Sequence, residues 1–157
     1  MKDKLDRILT KLKVLSQLKK SRFITWEKPT LRDEIDEYFG NHPTRIFLKS
    51  YGVSFKTKEE VLNFLEKGKL VDIDKDVLEN HSENLEIVDE VKDWKDRDYQ
   101  ESYKQMQKSL LEEGVIKLPA PIFIKIDNKY YCYAGNRRTN LAFNNYIPLK
   151  IWLIEVE

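Results

Sequence analysis

The sequence predicts an α+β fold in which an α-helical N-terminal segment precedes the strands. Three observations carry this. Leu5, Ile8, Leu12 and Leu15 recur at helical spacing, with Leu9 beside them and lysines on the other face. Two apolar runs, Ile122 to Ile126 and Tyr130 to Ala134, flank Asp127-Asn128, a good two-residue hairpin turn. A last run, Leu149 to Val156, is apolar on both faces and reads as a central strand.

The elements follow in order. The first helix is expected to reach about Lys20. Thr30 is the expected cap of a helix through Tyr38, stopped by Gly40 and Pro43. A short helix is expected over Arg45 to Tyr51. Thr57 and Glu60 have capping-box spacing and open a helix through Glu66, closed by Gly68. Three short helices in a row also fit a helix-turn-helix, although helical packing alone gives the same pattern. Leu70 to Ile73 reads as a strand, and Asp76 to His81 as a helical turn. Ser82 to Asp98 is an acidic loop without a period. Asp98 and Glu101 have the spacing of a second capping box. Tyr99, Tyr103, Met106 and Leu110 then form one apolar stripe, expected to be core, up to Gly114. A helix is expected over Arg137 to Tyr146.

Composition excludes several classes. No apolar run reaches the roughly 18 residues of a membrane span, and the N-terminus lacks the apolar core of a signal peptide. The single Cys132 excludes an internal disulfide framework and a cysteine-based zinc site. A reducing, cytoplasmic setting is the simplest expectation. The net charge of +1 hides an asymmetry: residues 1–22 carry +6 and the remainder −5. Such a basic leader suits contact with DNA or a protein partner, or simply a solvated helix face.

The chemistry concentrates at Gly135-Asn136-Arg137-Arg138-Thr139. Glycine between a strand and a helix permits a positive φ and close approach to the backbone. The first N–H groups of the helix then point outward at the positive end of its dipole, a ready anion site. Two arginines in that first turn oppose the dipole, by up to about 1 kcal/mol each. They need an offsetting anion: a bound phosphate, or a carboxylate of Glu112, Glu113 or the acidic loop. Helical phase places Arg138 with Leu141 and Ala142 on the inward stripe, and Arg137 with Asn140 and Asn144 on the polar one. Thr139 offers a hydroxyl to a phosphate or faces solvent.

Here the chain resembles the ParB/sulfiredoxin-like superfamily over residues 70–157. Ser109 to Ile116 followed by Pro119 looks like the family's helix, glycine and proline. The strand pair comes next. Gly135-Asn136-Arg137-Arg138, with Ala142 four residues on, looks like the Gly-Glu-Arg-Arg phosphate motif of ParB, and Ile147-Pro148 with the closing strand also fits. The resemblance implies a small mixed β-sheet with packed helices. It implies a nucleoside triphosphate, CTP or ATP, bound with Mg2+ by Gly135, Asn136, Arg137, Arg138 and Thr139. Residues 1–69 then form a separate helical N-terminal region. NTP hydrolysis or phosphotransfer is the activity implied, with Glu112 and Glu113 as candidate catalytic carboxylates. Asn136 stands where sulfiredoxin has its nucleophilic cysteine and ParB its glutamate, and an amide can neither act as a base nor charge-balance a metal. Arg97 is the nearest basic residue to ParB's upstream arginine box.

Two other readings stay open: a non-enzymatic interaction protein with a degenerate site, suited to a phage or mobile element, and a small ParB-like nuclease. His42 and His81 have no zinc spacing, and His81 lies among Glu79, Glu83 and Glu86, a solvated acidic face by default. Tyr130, Tyr131 and Tyr133 can stack a base or pack as ordinary strand residues.

Overall fold

The computed structural model describes residues 3–10, 22–88 and 96–157. Residues 3–10 are helical (α1) and expose Leu5, Ile8 and Leu9. The remainder of the expected N-terminal helix, and the acidic residues 89–95, lie outside the described residues. Among the described residues no helix is long and apolar enough to cross a membrane.

Strand β1 (Phe23–Glu27) comes next, and nothing above anticipated it. Its inward residues are Ile24 and Trp26. A 3-10 turn over Leu31–Glu34 runs into α2 (Ile35–Gly40). Thr30 makes no side-chain cap bond, contrary to expectation; its carbonyl instead accepts from Asp33 N–H at 3.0 Å. Helix α3 (His42–Ser50) starts earlier than the Arg45 predicted, because Asn41 Oδ1 accepts from Thr44 N–H and Pro43 occupies the first turn. Helix α4 (Lys58–Leu65) opens on the expected box: Thr57 Oγ1 accepts from Glu60 N–H at 3.2 Å, and Glu60 reaches back to Lys56 N–H.

The remaining elements are β2 (Lys69–Ile73), α5 (Lys75–His81), β3 (Ser82–Glu83), α6 (Arg97–Glu113), β4 (Val115–Pro119), β5 (Ile122–Ile126), β6 (Lys129–Ala134), α7 (Asn136–Asn144) and β7 (Leu149–Val156). Asp96, not Asp98, caps α6 by accepting from Tyr99 N–H at 3.0 Å. Gly114 ends that helix at φ 77°.

Five strands form a mixed sheet in the order β2-β7-β5-β6-β3. β5 and β6 are the expected antiparallel hairpin, with Asp127 and Asn128 at φ 52° and 64°, the left-handed values of a type I′ turn. β7 is interior, antiparallel to β2 and parallel to β5. Its continuous apolar run follows from burial on both faces. β1 and β4 make a second, two-stranded parallel sheet, in register from Phe23↔Val115 to Glu27↔Pro119.

One apolar cluster joins residues 24–65 to the main sheet. Polar stitches cross the same boundary. The Trp26 indole N–H donates to Pro148 O at 2.9 Å, and the Trp152 indole N–H to Leu65 O at 2.9 Å. Thr44 and Tyr131 hydroxyls are 2.9 Å apart, and the Tyr131 ring stacks on Phe47 at 4.2 Å. The Tyr131 contacts lay α3 against β6, the strand that leads into Gly135.

Candidate functional site

Gly135 adopts φ 103° and ψ 27° between β6 and α7. A Cβ there would lie 2.7 Å from Pro121 Cα and 2.8 Å from Arg138 Nη2, so both backbone angle and space demand glycine. The turn opens on a cavity of about 780 Å³, a size ordinary for small-molecule sites. The first turn of α7, Gly135 to Arg138, forms one wall. Tyr99, Ser102 and Met106 of α6 form another, residues 84–86 a third, and Glu34, Glu37 and Asn41 of the N-terminal half the fourth.

The arginines differ as helical phase predicts. Burial pulls the Arg138 guanidinium below its ordinary value, with Glu34 opposing; it stays protonated. Its Nε is buried and has no hydrogen-bond partner among the described residues. The Arg137 guanidinium lies 4.3 Å from the centre of the Tyr99 ring. Among the described residues neither arginine has a carboxylate within 4.0 Å. The dipole conflict is thus not settled by a direct ion pair.

The polar stripe of α7 is not a solvent face. Asn136, Asn140 and Asn144 grip the backbone of residues 86–88. Asn136 Oδ1 accepts from Glu86 N–H at 2.9 Å, and its Nδ2 donates to Tyr99 OH at 2.8 Å. Asn140 is fully buried; Oδ1 accepts from Val88 N–H at 2.9 Å, and Nδ2 donates to Glu86 O and Asn136 O. Asn144 Nδ2 donates to Val88 O and to Tyr103 OH. The spacing is physical. Four residues of helix rise about 6 Å and two residues of extended chain about 6.6 Å, so an amide at every fourth position meets every second residue of the strap. Asn136 and Asn140 each both donate and accept, and Asn144 donates twice; an ionised carboxylate could only accept.

The sequence-predicted residues therefore divide. Gly135, Asn136, Arg137 and Arg138 all line the cavity. The Asn136 side chain, however, is engaged on both sides by protein. Thr139 is fully buried and donates to Gly135 O at 2.9 Å, so its hydroxyl faces neither a ligand nor solvent. Glu112 and Glu113 are not brought to the site. They lie on the exposed last turn of α6, where Glu112 pairs with Lys108 at 3.9 Å, while the cavity touches that helix nearer its start. Arg97 is likewise exposed and outside the lining. The α6 stripe is core only in part: Tyr103 and Leu110 are buried, but Tyr99 and Met106 face the cavity.

The carboxylates that do face the arginines are Glu34 and Glu37, with Glu86 on the strap. The sequence reading missed them. Glu34, Glu37 and Asn41 recur at i, i+3 and i+7, a polar stripe that could have marked a shared face. Burial raises the Glu34 carboxyl, against the pull of Arg138. Tyr133 donates its hydroxyl to Glu34 O and fixes that turn to β6. Cys132 is buried, and its thiol is pushed up to about 12, the state of an inert packing residue. Tyr131 is spent in the core against Phe47. Among the described residues no group of three or more histidine, cysteine or acidic side chains is placed to hold a metal. Comparison of the chain with protein-family models, curated proteins and solved structures finds no match.

Proposed function

We propose that this chain is a nucleotide-binding protein of the ParB/sulfiredoxin-like class, holding a nucleoside triphosphate, CTP or ATP, in the cavity at Gly135, Arg137 and Arg138. The observation that carries this reading is Arg138: an enclosed guanidinium with a buried, unpartnered Nε, set at a helix start behind a left-handed glycine. A fixed cation in such a place is complementary to phosphate oxygens, and the first-turn N–H groups add to it. Magnesium would arrive on the phosphate oxygens with its own water rather than in a protein cage.

The same residues favour binding over turnover. Asn136 is consumed by Tyr99 and the Glu86 backbone, Thr139 by Gly135, and Glu112 and Glu113 stand elsewhere. The basic residues 1–22 are the proposed contact for DNA or a protein partner. Calorimetry with CTP, ATP and GTP plus magnesium tests the central reading. Binding that is lost in Arg138→Ala supports it; absence of binding, or binding indifferent to Arg138→Ala, overturns it.

A further inference from the structure

The cavity is lined by side chains of both charges that form no ion pair with one another among the described residues. Arg137 and Arg138 come from the first turn of α7, Glu34 and Glu37 from the 3-10 turn and α2, and Glu86 from the strap. Glu34 and Arg138 influence each other electrostatically, yet among the described residues no arginine nitrogen lies within 4.0 Å of a carboxylate oxygen. A cavity built only for a polyanion would gain nothing from carboxylates in its lining, which repel phosphate. Side chains left facing but unpaired are instead suited to a ligand that is anionic at one end and rich in hydrogen-bond donors at the other.

Resting on the nucleotide reading above, we infer that Glu34 and Glu37 recognise the nucleoside end of the ligand, accepting hydrogen bonds from its O–H or N–H donors while Arg137 and Arg138 hold its phosphates. An ionised carboxylate only accepts, so it selects for donors and against carbonyl edges. Ribose hydroxyls and the exocyclic amine of cytosine or adenine are the donors a nucleotide carries. Both carboxylates come from residues 31–40, outside the part of the chain that resembles ParB. Tyr133 holds the Glu34 backbone to β6, so the nucleoside wall is fixed relative to the phosphate turn. Discrimination is expected mainly at Glu34, which is partly buried, because an analogue lacking the donor leaves that carboxylate unpaired; Glu37 is exposed.

The test is titration of wild type and of the Glu34→Gln, Glu37→Gln double variant with CTP, ATP and inorganic tripolyphosphate, each with and without magnesium. The variant is expected to lose about tenfold or more in nucleotide affinity, from hydrogen bonds to charged acceptors. Tripolyphosphate should bind it as well as or better than wild type, since two repelling charges are gone. Circular dichroism of the variant confirms that it folds. UTP and ITP, which lack the amine, and the 2′-deoxy nucleotides, which lack a hydroxyl, identify the donor: whichever loses affinity in wild type and not in the variant names it. The inference is overturned if the variant binds nucleotide as wild type does, if nucleotide and tripolyphosphate weaken together, or if the loss appears only with magnesium. A wild type that binds tripolyphosphate and Arg138→Ala that does not, with no nucleotide preference, would overturn the nucleoside wall while sparing the phosphate turn. A wild type that binds none of them overturns both.

Discussion

The Arg137 guanidinium rests on the face of Tyr99, 4.3 Å from the ring centre. The ring thereby orients a cation that lines the cavity, and Tyr99 OH also accepts from Asn136. Cation–aromatic contacts contribute about 0.5–2 kcal/mol. Tyr99→Ala is expected to weaken triphosphate binding by roughly 2- to 30-fold. Tyr99→Phe, which keeps the face and loses the hydroxyl, should lose less. Isothermal titration of the two variants side by side checks the order, and equal losses would locate the effect in the hydroxyl.

Gly135→Ala combines an unfavourable φ with a clash against the Pro121 backbone. A destabilisation of about 1–3 kcal/mol is expected, read as a lower urea midpoint at unchanged slope. A midpoint equal to wild type would mean the turn relaxes freely.

Asn140→Leu keeps approximate size and removes every bond that the buried amide makes to Glu86 and Val88. Each backbone group left unsatisfied costs about 1–3 kcal/mol. The strap should loosen locally before the protein unfolds globally. Amide exchange at Val88 is expected to quicken more than exchange in β5; uniform quickening would contradict a local role.

The pH dependence of Glu34 has a definite sign. Burial raises its carboxyl above the ordinary 4.5. A carboxyl raised in the folded state favours folding while protonated. That contribution is whole below pH 4.5 and is lost as pH rises through the raised value. Glu34→Gln, neutral throughout, should therefore melt higher than wild type at pH 7, with the advantage shrinking towards pH 4. An advantage that grows on acidification would reverse the assignment.

Cys132 should resist iodoacetamide in the native protein at pH 8 and react once urea unfolds it, because its thiol is buried and raised to about 12. Modification of the folded protein at the rate of a free thiol would show that the cavity wall opens.

The elements with strong local signals were legible. The Asp127-Asn128 hairpin, the Thr57 box, the Gly114 stop and the β7 run each carry their cause in adjacent residues. Strands β1 and β4 were not, because five residues bearing two inward side chains give too little period, and their pairing joins residues far apart in the chain. Half the site was legible for the same reason. Gly135 and the arginines form a contiguous motif. Glu34 and Glu37 reach that motif only through tertiary packing, which the Tyr133 hydroxyl bond to Glu34 O exemplifies across 99 positions. The asparagine ladder misled because i, i+4 spacing marks a shared face, not the surface that face meets. Glu112 and Glu113 were near in sequence to the strand yet distant in space, since α6 meets the cavity near its start and carries them away from it.

β7 sits inside the main sheet although its residues, 149–156, come after every other strand. During synthesis β2 and the β5–β6 hairpin therefore lack the strand that joins them until that late stretch has left the ribosome. Neither can complete its pairing earlier, and each must wait with an unfilled edge. The sheet closes only when β7 pairs, and until then Lys69–Ile73 and Ile122–Ile126 each present an unpaired edge.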